Sequence, residues 1–202
     1  AKIFNFDLRY EYYPGKAQLL SASVFYKKFR NPIEFATVQT NINEATYSNN
    51  PTATLYGIEA EFRVLLSSLF KTETGLLSKF TVTGNGAYMK SEVPLGKKGA
   101  DSSEVIRPLQ GQSPYVLNLS LAFNDDISGW SSTLSLNRIG ERLAIAGSRD
   151  RPDFYDKERT VMDFQIAKML VKNRMELKLN IRDLLAQKIT TYLDMDKSRS
   201  FT

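Results

Sequence analysis

The stretch 161–182 reads VMDFQIAKMLVKNRMELKLNIR and alternates between apolar and polar residues. In its second half the two faces carry Met175, Leu177, Leu179 and Ile181 on one side, and Glu176, Lys178, Asn180 and Arg182 on the other. A period of two is the pattern of a strand with one apolar face and one polar face. The first half alternates in the same way, and the polar turn 171–173 separates the two. The stretch therefore predicts a β-hairpin.

A helix is the alternative structure for this stretch. No Gly or Pro follows Pro152, and Glu, Lys, Leu and Met are good helix formers. A helix, however, would spread the four apolar side chains of the second half around most of its circumference and bury charges beside them. The alternation favours the hairpin.

The composition places the chain among folded proteins. It has 202 residues, of which 42% are hydrophobic and 24% charged, which suits one β domain or a barrel segment and argues against disorder. No apolar run approaches the roughly 18 residues of a membrane helix, and the first residues lack the pattern of a signal peptide. Helical membrane proteins are thus excluded, whereas β-barrels, whose strands alternate, are not.

The absence of Cys and His from the sequence excludes several kinds of site. Disulfides, thiolate chemistry, His-based catalytic triads and most zinc sites cannot be built from this chain. The net charge of +5 comes from scattered Lys and Arg rather than a cluster, so we predict no nucleic-acid partner. We also predict no cofactor, and no metal site, since Asp150, Asp153 and Asp156 lack the order of an EF-hand calcium loop.

Eight alternating runs can be followed along the chain. They lie at 2–13, 20–27, 56–64, 80–88, 115–123, 130–137, 161–170 and 175–182. The connections after the second, fourth and sixth runs are long (31–53, 91–113 and 140–158) and the others are short, so all long connections leave one end of the sheet. Outer-membrane β-barrels have this asymmetry. Aromatic residues near the ends of runs are typical of interfacial girdles in such barrels, here Tyr10, Tyr12, Tyr88, Tyr115 and Trp130.

Three short strings carry a resemblance to a known family. LYGIEAE at 55–61, RPLQGQSPY at 107–115 and NIRDLL at 180–185 resemble strand motifs of TonB-dependent outer-membrane receptors, in the order of the later part of their barrel. The resemblance implies an all-β fold, an antiparallel up-and-down transmembrane β-barrel segment with about eight strands of a larger barrel that contains a plug; such transporter barrels have about 22 strands. We therefore expect 1–202 to be a partial barrel domain from which the plug, the earlier strands and the closing strand are absent.

The same resemblance implies a function. Such a receptor would not be an enzyme but an active transporter in the outer membrane of a Gram-negative cell, taking up a scarce siderophore, vitamin, glycan or peptide. Its partners would be outer-membrane lipid, its own plug and, through the plug, TonB, and nutrient-uptake receptors of this kind can also carry a surface lipoprotein. A soluble β-sandwich that acts as a ligand-binding module is the alternative for the same alternating runs.

The third long connection contains the candidate ligand contacts. Charged and aromatic residues are concentrated there, and loops on a rigid scaffold commonly carry function. The candidates are Arg149, Asp150, Arg151, Asp153 and Tyr155. The alternative for this segment is a solvated loop with local ion pairs, which contribute little to stability.

Overall fold

The computed structural model describes residues 1–37, 45–72, 74–97, 104–147, 152–171 and 174–195. Its strands are β1 Lys2–Tyr12, β2 Leu19–Arg30, β3 Ile33–Thr37, β4 Ala45–Asn49, β5 Thr52–Leu65, β6 Phe80–Lys97, β7 Glu104–Arg107, β8 Tyr115–Asp125, β9 Trp130–Ile139, β10 Arg142–Ile145, β11 Phe154–Asp156, β12 Arg159–Leu170, β13 Met175–Ile181 and β14 Thr191–Leu193. The helices are α1 Leu66–Leu69 and a 3-10 turn at Leu76–Lys79.

Eight long strands form one antiparallel meander. They are paired in the order β1-β2-β5-β6-β8-β9-β12-β13, so each long strand lies beside the next one along the chain. The hairpin predicted at 161–182 is confirmed, because β12 pairs with β13 from Phe164 opposite Ile181 to Leu170 opposite Met175. Val171 turns the chain with a φ of 49°. The helical alternative for this stretch is wrong.

The register places apolar side chains on one face of the meander across all eight strands. Leu8, Val24, Ile58 and Tyr88 are neighbours on successive strands of this apolar face. Their side chains are exposed, as Leu8 at 63% and Ile58 at 59% show. A sandwich would bury such residues against a second sheet. The sandwich alternative therefore does not hold for the described residues.

Aromatic residues lie at both ends of the apolar face. Tyr88 and Tyr115 are direct cross-strand partners near the long connections. Tyr10, Tyr12 and Trp130 lie near the short turns. The predicted positions at the two ends of the strands are thus confirmed.

The long connections contain strands that the sequence pattern did not predict. β3 and β4 form a hairpin within the first long connection. β6 continues to Lys97 and pairs with β7 in the second, while β10, β11 and β14 form a separate sheet. Apart from the extension of β6, these strands are only three to five residues long. Strands of that length are too short for an alternation to stand out from chance.

The link between β5 and β6 contains two short helical elements, α1 and the 3-10 turn, that the alternation does not predict. In the 3-10 turn Ser78 Oγ donates to the Gly75 carbonyl at 2.7 Å. Among the described residues, no helix has the length and apolar character needed to cross a membrane.

Candidate functional site

The long connections pack together at one end of the meander. We call this the loop layer and define it as β3, β4, β10, β11 and β14 together with the segment 107–114. Ala36 and Ala146 form a parallel bridge between the first and third connections. The Thr37 amide donates to the Ala146 carbonyl at 3.0 Å, and the Gly111 amide donates to the Leu143 carbonyl at 2.8 Å. Three connections that are far apart in sequence are thus joined by backbone hydrogen bonds.

A buried ion pair lies within the loop layer. Arg107 Nη1 and Nη2 donate to Glu34 Oε1 and Oε2 at 3.1 and 2.5 Å. Glu34 is 2% exposed and Arg107 6% exposed. The Glu34 carboxylate also accepts hydrogen bonds from the backbone N–H of Gln110, at 3.1 Å, and from the Asn50 side chain. Since every oxygen of this buried carboxylate is hydrogen-bonded, its charge is compensated.

The Gln110 side chain joins three connections. Its Oε1 accepts from the Phe35 amide at 2.6 Å, and its Nε2 donates to the Phe35 carbonyl at 2.9 Å and the Ala144 carbonyl at 2.6 Å. Gln110 therefore continues the hydrogen-bond pattern of a strand between β3 and β10. Arg107 and Gln110 both belong to the string RPLQGQSPY, so the sequence motif marks the segment that organises the loop layer.

A small apolar core supports the layer. Leu143 and Ala146 are fully buried, and Tyr155 is 4% exposed. Tyr155 lies opposite Leu143 on one side and Tyr192 on the other, and the two tyrosine rings stack at 6.1 Å between centroids. Burial raises the pKa of the Tyr155 phenol above its ordinary value, and the nearby Asp153 carboxylate raises it further.

The candidate ligand contacts fall into two groups. Arg149, Asp150 and Arg151 lie outside the described residues. Asp153 and Tyr155 are described, and both have structural partners: Asp153 Oδ1 accepts from the Gly147 amide at 2.6 Å. This bond joins two residues that lie on either side of Arg149, Asp150 and Arg151 in the sequence. The ligand-contact role of the five residues stays a prediction.

The polar face of the meander carries charged side chains on some strands and amide side chains on others. On β1, β2 and β5 it is charged, with Arg9 Nη2 donating to Glu61 Oε2 at 2.8 Å across the intervening strand. On β6, β8 and β9 it carries amides: Asn118 donates to Asn85 at 2.8 Å, and Asn137 donates to Asn118 at 2.6 Å. Arg9 and Glu61 are thus paired across β2.

Close contact explains the glycine in the string LYGIEAE. A β-carbon at Gly57 would lie 2.4 Å from the Tyr88 carbonyl oxygen and 2.8 Å from the Phe25 ring. Phe25 is buried and lies directly opposite Gly57 in the register. Only glycine leaves room for this ring on the polar face of β5.

The string NIRDLL ends β13 and ties the chain back to β12. The Asp183 amide donates to Asp163 Oδ1 at 2.7 Å, and Arg159 Nη2 contacts Asp183 Oδ2 at 2.5 Å. Asp183 has a φ of 52°, a conformation that Asp tolerates better than most residues. The motif thus sets the direction in which the chain leaves the meander at the loop-layer end.

A family model described as "TonB dependent receptor-like, beta-barrel" matches residues 2–184, which include all eight strands of the meander. The chain belongs to the TonB-dependent receptor family. Members of this family are outer-membrane transporters of Gram-negative bacteria and not enzymes. The predicted family and the all-β antiparallel fold of its barrels are thereby confirmed.

Solved TonB-dependent receptors share the fold. The copper transporter OprC superposes with a TM-score of 0.62 at 16% identity, covering 93% of this chain and 26% of that one. The FrpB iron transporter from Neisseria meningitidis gives 0.61 at 11% identity, covering 94% and 27%. The ferric-catecholate import receptor Fiu from K12 E. coli gives 0.59 at 19% identity, covering 91% and 23%. The chain spans about a quarter of these structures. No curated protein matches the sequence.

Sequence reasoning missed the residues that hold the loop layer together. Glu34 lies in a connection without a period, and its partner Arg107 is 73 residues away. Gln110 and Arg107 were noticed as parts of a family string, but not as packing residues. Within the described part of the chain, no three acidic, His or Cys residues are grouped to hold a metal ion.

Proposed function

We propose that the receptor containing this chain imports a scarce ligand across the outer membrane, driven by TonB through its plug. One observation carries the proposal: an apolar face covers all eight strands, while the opposite face is polar and has an interlocked loop layer at one end. An apolar face of this kind suits contact with outer-membrane lipid. A polar wall suits a lumen that holds a plug and admits a solute.

In this proposal residues 1–202 are part of the barrel domain of a longer receptor. The length of the solved relatives supports it, because the chain spans only 23 to 27% of them. The plug and the remaining strands would lie elsewhere in the whole protein, and the outer membrane would be its location.

We propose that ligand contact is made at the third long connection. Arg149, Asp150 and Arg151 would contact the ligand directly, while Asp153 and Tyr155 would hold the two flanking strands in place. The hydrogen bond from Gly147 to Asp153 and the burial of Tyr155 between β10 and β14 support the holding role. When the flanking strands are held in place, the charged side chains between them lose less conformational entropy on binding a charged ligand.

A siderophore or other metal chelate is the first ligand class to test. The solved relatives are named for copper, iron and ferric-catecholate transport. Their identity to this chain is low, so a binding screen should also contain a vitamin, a glycan and a peptide. Affinity purification of the receptor would test the predicted surface lipoprotein.

Uptake by the full-length receptor tests the function. Cells that express it should accumulate one labelled ligand of the screen only when TonB is present. Arg149→Gln with Arg151→Gln should weaken ligand binding about tenfold or more, since a charge-assisted contact is worth roughly 1.5 to 3 kcal/mol. Arg174→Gln, at the opposite end of the strands, is the matched control and should bind as the wild type does. Uptake independent of TonB, or recovery of the folded receptor from the soluble fraction, would overturn the proposal.

A further inference from the structure

Three cations lie together at the loop-layer end of the apolar face. Lys2 begins β1 and lies directly opposite Arg30 at the end of β2. Lys28 is two residues before Arg30 and thus on the same face, opposite Phe4. All three residues are exposed. Like charges placed directly opposite each other in a sheet are destabilising.

Among the described residues, the neighbours of these cations on the β5 side of β2 do not compensate their charge. On the other side of β2, Arg30 lies opposite Thr52 and Lys28 opposite Thr54. The salt bridges found among the described residues include none of the three cations. The nearest acid along this row, Glu92 on β6, is bound to Lys90 at 2.9 Å.

Other cations at the same end of the apolar face do have carboxylate partners. Lys90 is paired with Glu92, and Arg138 Nη2 lies 2.8 Å from Glu158 Oε2. Within the described part of the chain, the cluster of Lys2, Lys28 and Arg30 is therefore a local excess of positive charge rather than a general property of this rim. Such an excess suits an anion from outside the chain.

The surroundings of the cluster indicate which anion. Immediately towards the middle of the strands lie Phe4, Phe6 and Tyr26, with exposed fractions of 63%, 56% and 38%. Cations above an exposed apolar and aromatic band match a molecule with a charged head and apolar chains. The band would face the hydrocarbon of the membrane, and long connections mark the outer leaflet in barrels of this kind.

We propose that Lys2, Lys28 and Arg30 bind the phosphate of a phosphorylated glycolipid of the outer leaflet, with its acyl chains against Phe4, Phe6 and Tyr26. This proposal rests on the outer-membrane placement given above, but not on ligand uptake. A phosphate monoester carries a charge of about −1.5 to −2 at neutral pH, whereas the diester of a phosphoglycerolipid carries only one charge. Three adjacent cations suit the monoester better.

Native mass spectrometry of the full-length receptor in detergent, titrated with diphosphorylated lipid A, tests the proposal. We expect Lys28→Gln with Arg30→Gln to weaken lipid binding about 30-fold, which corresponds to about 1 kcal/mol for each cation near a membrane surface. Lys27→Gln is the matched control: it removes the same charge from the adjacent residue, whose side chain lies over Phe25 on the opposite face. It should bind lipid as the wild type does.

Binding measurements with other molecules show which anion the cluster recognises. Dephosphorylated lipid A, phosphatidylglycerol and inorganic phosphate should each bind at least tenfold more weakly. Equal binding of any of them, or unchanged lipid A binding by the double variant, would overturn the proposal. The charge-preserving exchange Lys28→Arg with Arg30→Lys should retain lipid binding, and heat-modifiable migration of each variant in gels reports folding. Nutrient binding should be unchanged throughout, so loss of lipid binding and loss of transport are distinguishable.

Discussion

Glu34 and Arg107 form a two-bond ion pair across 73 residues of sequence, and water reaches almost none of either side chain. The pair joins the first and second long connections directly. Through Gln110, the residues around it also reach the third. The order of the loop layer thus depends on a few polar contacts as much as on its small apolar core.

Removal of one partner of this pair should loosen the loop layer. Glu34→Gln or Arg107→Met leaves an uncompensated buried charge or unfilled hydrogen bonds, which costs about 3 to 5 kcal/mol for a buried pair. Limited proteolysis of the full-length receptor should show faster cleavage in the long connections, with the strands still folded. The double variant should be less sensitive than the sum of the two single variants. Wild-type protease resistance in both single variants would contradict this role.

Gln110→Ala should separate β3 from β10. The substitution removes three side-chain hydrogen bonds that join Phe35 and Ala144, each worth about 1 kcal/mol. Hydrogen exchange should accelerate at 33–37 and 142–146. Gln112→Ala is the matched control, because the Gln112 side chain donates only to the adjacent Ser113 carbonyl among the bonds described. Equal exchange in both variants would show that Gln110 does not join the connections.

Gly57→Ala should destabilise the barrel, whereas Gly86→Ala should not. The new methyl group at position 57 would overlap the Tyr88 carbonyl oxygen and the Phe25 ring, at a cost of about 1 to 3 kcal/mol. At position 86 the nearest atom would be 3.5 Å away, an ordinary contact. Urea unfolding of the full-length receptor in lipid vesicles measures both free energies. A smaller loss at position 57 than at position 86 would refute the packing explanation.

A charge on the apolar face should impair folding into membranes. Leu119 lies mid-strand on the apolar face of β8, and arginine in the middle of a lipid-facing strand costs about 2 to 4 kcal/mol. Ser120→Arg places the same charge on the neighbouring residue of the polar face. We expect Leu119→Arg to lower the yield of folded receptor in vesicles and Ser120→Arg to leave it near the wild type. The opposite ranking would mean that the two faces are assigned the wrong way round.

Alkaline pH should loosen the loop layer through Tyr155. Because burial raises the pKa of its phenol in the folded state, the unfolded state loses this proton first. Its contribution to stability is therefore complete below the ordinary tyrosine pKa of about 10 and is lost as pH rises through the higher folded value. Protease sensitivity of the long connections should increase above about pH 10 in the wild type. Tyr155→Phe, which keeps the ring, should reduce that pH dependence.

Alternation alone was enough to predict the long strands. In β13 the apolar residues recur at every second position over the entire strand, and in β12 they do so from Met162 to Ile166. A period of this length has few competing explanations, since a helix would bury charges. The positions of all long connections at one end followed from the same runs.

The loop layer could not be predicted in the same way. β11 has only three residues, and Tyr155 stands among charged neighbours, so its local sequence suggests exposure. Its burial comes from β10 and β14, which approach it from both sides. Similarly, Glu34 becomes a buried residue only because Arg107 is brought to it by the pairing of the long strands. Information of this kind is non-local and leaves no period in the sequence.

The ion pair between Glu34 and Arg107 also has a consequence for assembly. The two residues follow β2 and precede β8, so the pairing of β2, β5, β6 and β8 decides where they stand. A slip of two residues between neighbouring strands would keep every side chain on its proper face but shift the chain by about 7 Å. The apolar and polar character of the two faces therefore does not disfavour such a slip. The slipped barrel, however, would leave a carboxylate without its guanidinium, so the loop layer discriminates against misregistered barrels after the strands have formed.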